Sequence, residues 1–205
     1  MKKPERKTRI LAVGDIHGDS GLVKKLAQQA KKENIDLVIL AGDLTLAEME
    51  AKNLISPFLK VKKQVLLIPG NHESPETVDF IVSQYENAKN IHGYALKRGD
   101  LGIFGAGTVE WDEPASNTEI FRLLKQGNNY LKDSKRKVMV THMHPRGSKS
   151  EIAGFKGSKA IRRAIKEFHP DVLISAHIHE TGGIEEKIGK TRVINVSRKP
   201  TIFEI

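Results

Sequence analysis

The chain has 205 residues, 39% of them hydrophobic, and a formal net charge of +9, which suits one globular domain, residues 1–205, with a sizeable core. It contains no cysteine, so disulfides, iron–sulfur clusters and thiolate zinc sites are excluded and any metal must be held by nitrogen and oxygen ligands. The longest apolar runs, such as Leu37 to Ala41 and Val65 to Pro69, fall far short of the roughly 20 residues that span a bilayer. No secretory apolar segment follows the basic start, and the reducing-compartment composition fits the cytoplasm. Residues 1–8, with Lys2, Lys3, Arg6 and Lys7, read as a basic, frayed start.

In chain order, short β-branched apolar runs alternate with amphipathic stretches, the pattern of βαβ units. Strands are predicted near Arg9 to Val13, Leu37 to Leu40, Val65 to Ile68, Leu101 to Phe104, Val138 to Thr141 and Val172 to Ser175. The first helix, about Gly21 to Glu33, is capped by Asp19 or Ser20 and presents Leu22, Leu26 and Ala30 on one face. A second is expected over Leu46 to Leu59, and a third begins at Ser74-Pro75. Ser116 and Glu119 form a capping box ahead of Ile120 to Leu131, and Ser158 caps Lys159 to Phe168. Ile184 to Ile188 and Arg192 to Val196 flank Gly189-Lys190 as a hairpin, and a last strand lies near Thr201 to Phe203.

Polar clusters follow five of the predicted strands: Gly14-Asp15-Ile16-His17-Gly18-Asp19, Gly42-Asp43, Gly70-Asn71-His72-Glu73, Thr141-His142-Met143-His144-Pro145 and Ala176-His177-Ile178-His179. Carboxyl ends of parallel strands share an edge, so residues distant in sequence converge there. Of the eight histidines, only His92 and His169 lie away from these clusters. Asp15 and His17 are two apart, as are His177 and His179, so in extended backbone each pair points to one side and can grip one cation. Asp43 ends a strongly apolar strand, where a bare carboxylate is costly unless it meets a cation; its two oxygens can bridge a pair of metals. Asn71 adds a carbonyl oxygen. The candidate ligands are therefore Asp15, His17, Asp43, Asn71, His142, His177 and His179, a mixed oxygen and imidazole set that suits Mn²⁺, Fe, Zn²⁺, Co²⁺ or Ni²⁺ better than Ca²⁺ or Mg²⁺.

From Asp15 to His179 these motifs resemble the calcineurin-like metallophosphoesterases, and most of all their small single-domain members without a cap domain. The resemblance implies an α/β fold, a four-layer α-β-β-α sandwich of two mixed sheets between helices, and a metal-dependent phosphoesterase activity. It implies two divalent metal ions, manganese favoured: Asp15, His17 and His179 at one, Asn71, His142 and His177 at the other, with Asp43 bridging. His72, with Asp43, is then catalytic, as the positive group near the leaving oxygen. Members acting on phosphoproteins read Gly-Asp-x-x-Asp-Arg, whereas Leu46 and Ala47 stand at the last two positions here; that argues against a protein phosphatase and removes the usual acidic partner of His72. Ala176 stands where many members have glycine, which asks that position to avoid positive φ. His144 is an additional histidine, read as a neighbour of the site or a solvated residue and not as a ligand. Lys149, Lys156 and Lys159, beyond His142, are candidates for the rim. The implied substrate is a small phosphate mono- or diester such as a nucleotide. A nuclease is the second reading, permitted by the charge but unsupported by the 5% aromatic content; a non-catalytic scaffold is the third.

Overall fold

The structure, a computed structural model, describes residues 6–49, 52–107, 117–152 and 154–205. Two mixed sheets face each other. The first contains β1 (Arg9–Val13), β2 (Leu37–Ala41), β3 (Gln64–Ile68), β4 (Ala88–Asn90) and β11 (Thr201–Glu204) in the order β11-β1-β2-β3-β4, parallel except for β11. The second contains β5 (Ala95–Arg98), β6 (Leu101–Ala106), β7 (Arg136–Thr141), β8 (Val172–Ser175), β9 (Glu185–Ile188) and β10 (Thr191–Asn195) in the order β5-β6-β7-β8-β10-β9. Its two edge strands run antiparallel and its centre is parallel.

Strand period and helix period together build four layers. In β2 every residue is buried, because alternate side chains enter different layers. Leu37, Ile39 and Ala41 join Ile10, Leu66, Ile103, Val138, Val140 and Ile174 between the sheets. Val38 and Leu40 join the helices α1 (Ser20–Lys32), α2 (Ser56–Lys60) and α3 (Pro75–Ser83) through Val23, Leu26, Phe58 and Val78. Helices α4 (Asn117–Asn129) and α5 (Lys159–Phe168) cover the other sheet with Leu124, Ile161 and Ala164. Among the described residues no helix is long and apolar enough to cross a membrane.

The caps follow the sequence: Asp19 accepts from Leu22 N, Ser74 from Thr77 N and Ser158 from Ile161 N. Ser116, expected to cap α4, lies outside the described residues. In the basic start, Thr8 exchanges backbone hydrogen bonds with Ile205 and Arg6 pairs with Asp36. Two expectations are corrected. The helix over Leu46 to Leu59 shrinks to Ser56–Lys60, because Ala47, Glu48 and Asn53 all adopt left-handed backbone, which no α-helix accommodates. The short strands β4 and β5 were not expected; β5 is an edge strand with no buried residue, so it carries no apolar alternation.

Ile39 is fully buried between the sheets. Ile39→Ala is expected to lower the unfolding free energy by about 2–5 kcal/mol, read from the shift of a urea denaturation midpoint at unchanged slope.

Candidate metal centre

Because the sheets face each other, the carboxyl ends of β1, β2 and β3 meet those of β7 and β8, and the predicted ligands come from both. They fall into three overlapping groups whose donor atoms lie within 4.8 Å of one another: Asp15, His17 and His179; Asp43, His142 and His177; and His17, Asp43 and His72. Asn71 joins the second through its Oδ1, 3.0 Å from His142 Nε2. All eight residues singled out in the sequence are thus brought together. His144 is buried, not solvated, and belongs to none of these groups. Lys149, Lys156 and Lys159 are exposed.

The loops that carry the donors are locked by their backbone. Asp15 N donates to Gly42 O, His17 N to Asp43 O and Gly18 N to Leu44 O, so the first two clusters are zipped together. Asp15, His17, Asp43 and His177 all have positive φ, from 47° to 73°, a conformation that costs a non-glycine residue about 1–2 kcal/mol. Four strained residues in one cluster mark a site whose geometry is imposed by its surroundings. Gly70 is required by contact: a Cβ there would lie 2.0 Å from Asp43 Oδ1. Ala176 avoids positive φ, as its methyl requires, and that methyl is accommodated by Gly14, where a Cβ would meet it at 2.4 Å.

Asp43 does not use its two oxygens alike. Oδ1 accepts from Asn71 N and His72 N at 2.7 and 3.0 Å. Oδ2 alone faces both groups, 3.4 Å from His142 Nε2, 3.8 Å from His17 Nε2 and 3.9 Å from His72 Nε2. Two divalent cations fit this donor set. Asp15 Oδ1 is buried without a hydrogen-bond partner, 3.4 Å from His179 Nε2, while its Oδ2 accepts from His177 N. His142 donates Nδ1–H to Ala41 O at 2.8 Å, which turns Nε2 toward Asp43, Asn71 and His177, the orientation a ligating imidazole needs. His179, with 38% of its side chain exposed, marks the open side.

Burial disfavours the ionised form of Asp43, but His142, by charge and hydrogen bond, and then His72 overcome it and hold the carboxyl well below its ordinary range. Burial likewise opposes charge on His142, yet Asp43 and Asp15 push it up to about 9. Burial and then His142 lower His177 to about 4. At pH 7 the metal-free His142 ring thus carries a second proton, on Nε2.

Two contributors were not recognised in the sequence. Glu73 accepts from Gly70 N at 2.9 Å and from Leu44 N, Thr45 N and Thr45 Oγ1, each at 3.1 Å. It ties the Asp43 loop to the Asn71-His72 loop; burial and the charge of Asp43 raise its pKa. An acid directly behind Asn71-His72 was the available signal. Asn195, buried at the end of β10, donates to Ser150 Oγ and Thr181 Oγ1 and accepts from Ser197 N, which anchors the loop bearing His177 and His179. Nothing local distinguishes it from a turn asparagine.

The residues from 8 to 181 match the family model described as calcineurin-like phosphoesterase, and the chain belongs to that family. No curated protein matches it. Among solved structures, a Thermus thermophilus protein has a TM-score of 0.75 at 18% identity, over 94% of this chain and 90% of that one. A dimetal phosphatase from Danio rerio has 0.62 at 11%, over 93% and 87%. An archaeal phosphodiesterase has 0.57 at 16%, over 97% and 99%. At these identities the likeness is one of fold.

A neutral Nε2 lone pair is needed for His142 to bind a cation, whereas at pH 7 the metal-free ring, titrating at about 9, is protonated. Metal loading at pH 7 is therefore expected to release about one proton from this site. Calorimetric titration in buffers of different ionisation enthalpy measures it, and the part due to His142 should fall away as the pH is raised through about 9.

Proposed function

We propose that the protein is a dinuclear-metal-dependent hydrolase of phosphate mono- or diesters, acting in the cytoplasm on a nucleotide or another small phosphorylated substrate. The observation that carries this reading is Asp43 Oδ2, a single buried carboxylate oxygen facing both ligand groups. Asp15, His17 and His179 would hold one ion and Asn71, His142 and His177 the other, with Asp43 shared. Two such ions, Mn²⁺ favoured over Fe, Zn²⁺, Co²⁺ or Ni²⁺, supply the charge that binds phosphoryl oxygens and make a water acidic enough to attack at neutral pH.

His72 has a separate task. Ala47 N donates to its Nδ1 at 3.3 Å, which leaves the ring proton on Nε2, the nitrogen on the Asp43 side. His72 would donate Nε2–H to an oxygen of the bound ester as charge develops on it. The abundance of lysine and arginine aids encounter with an anionic substrate.

Protein stripped by chelator is expected to lose esterase activity and to regain it with Mn²⁺. Asp43→Asn should lower the count of bound metal and remove most activity, while Asp19→Asn, which keeps the cap bond to Leu22 N, should change neither. Metal analysis beside a p-nitrophenyl phosphate assay checks both; full activity in stripped protein rejects the reading.

His72 and His142 should fail differently. His142→Ala is expected to lose metal and turnover together. His72→Ala should keep its metal and lose roughly 10² to 10⁴ in rate, more for alkyl than for aryl esters, because a basic leaving oxygen depends more on a donor. Equal slowing of both ester types would confine His72 to the non-leaving oxygens.

A further inference from the structure

The turn that replaces the expected second helix stands beside His72. Leu46 and Met49 form an antiparallel bridge, Met49 N donates to Leu46 O, and Ala47 and Glu48 between them are left-handed, at φ 50° and 61°. This is a two-residue hairpin loop whose flanking side chains project from one face. It is fastened to the histidine twice, by Ala47 N to Nδ1 at 3.3 Å and by Glu48 N to His72 O at 2.9 Å. The Glu48 carboxylate accepts from Ser74 N and Thr77 Oγ1 at 2.9 and 2.8 Å, so the turn is also braced against the start of α3.

This fixed turn exposes two large apolar side chains, Leu46 at 45% and Met49 at 60%. Isolated exposed apolar residues are ordinary, and Phe80 is another. Leu46 and Met49 differ in being paired and in being bonded through their turn to His72.

In an in-line displacement the leaving oxygen departs on the side of phosphorus opposite the attacking one. The Nε2 side of His72 faces Asp43 and its Nδ1 side faces the turn, so an ester whose phosphoryl group lies at Nε2 would extend its organic half past the ring toward Leu46 and Met49. We propose that Leu46 and Met49 form an apolar wall for that half, so that the substrate's leaving group presents an apolar face, such as an aromatic ring. This rests on the phosphoesterase reading and extends it to a substrate class. Met suits such a wall, since its flexible thioether moulds to flat rings.

The test measures binding apart from turnover, with phosphonates that cannot be hydrolysed. Kd values for phenylmethylphosphonate and naphthylmethylphosphonate are determined by calorimetry on the Mn²⁺-loaded protein. The naphthyl compound is expected to bind roughly fivefold tighter, from the added apolar area. Leu46→Ser/Met49→Ser should bring the ratio near one while leaving phenyl binding within about twofold; Met49→Leu and the remote Phe80→Ser should keep it. Should the double variant fail to fold, either single serine variant carries the same comparison. Equal Kd values in the unaltered protein, no binding of either compound, or an unchanged ratio in the serine variants overturns the wall. Separate rates with phenyl and naphthyl phosphate test the parent reading: a naphthyl preference without hydrolysis of any ester keeps the wall and rejects the phosphoesterase, whereas hydrolysis without that preference does the reverse.

Discussion

Ring nitrogens and carboxylate oxygens crowd the candidate site. His142 Nε2 stands 3.0 Å from Asn71 Oδ1, 3.3 Å from His177 Nδ1 and 3.4 Å from Asp43 Oδ2, and His17 Nε2 stands 3.3 Å from His179 Nε2. One proton on His142 relieves part of the repulsion in the metal-free protein, but it cannot satisfy Asp15 Oδ1 at the other group. Holding the buried carboxylates of Asp15 and Asp43 together is unfavourable unless positive charge sits among them. Much of the surrounding architecture opposes that repulsion until a cation neutralises it.

The opposing forces are backbone hydrogen bonds and packing. The zipped loops after β1 and β2, the two amides on Asp43 Oδ1 and the four donors on Glu73 fix the carboxylates from outside the cluster. Left-handed backbone at Asp15, His17, Asp43 and His177 is strain held by those bonds, and the apolar layer between the sheets supplies the rigid floor. Asn195 provides the same service on the other side, where the chain leaves β8 through His177 and His179. Preorganisation of this kind avoids the cost of rearranging ligands when a cation or an anionic ester arrives.

The turn from Leu46 to Met49 joins His72 to the rim of the candidate site. Ala47 supplies a backbone amide to His72, and Leu46 and Met49 form an exposed apolar pair beside it. The bonds to this turn hold the ring in a fixed orientation. A change at the rim can in this way alter what is recognised without disturbing the donors beneath it.

The order of elements, most helix caps and the members of the cluster were legible in the sequence, since each depends on local signals: a period of two or 3.6, a capping side chain, and an acid or histidine at a strand's end. Asp15 with His17 was readable as a pair, although left-handed and not extended backbone brings the two together; His177 and His179, read as a second such pair, fall into different groups. What the sequence could not convey was set by contacts between distant segments. The predicted helix over Leu46 to Leu59 had suitable apolar spacing, but bonds from its first turn to His72, Ser74 and Thr77 hold another conformation, and tertiary bonds outweigh propensities of a few tenths of a kcal/mol. Only the facing of two sheets decided that β7 and β8 deliver His142 and His177 to Asp43, that Oδ2 alone is shared, and that Glu73 and Asn195 brace the loops. A buried hydrogen-bond partner has no period and no fixed spacing, so its role appears only once the chain has brought both ends together.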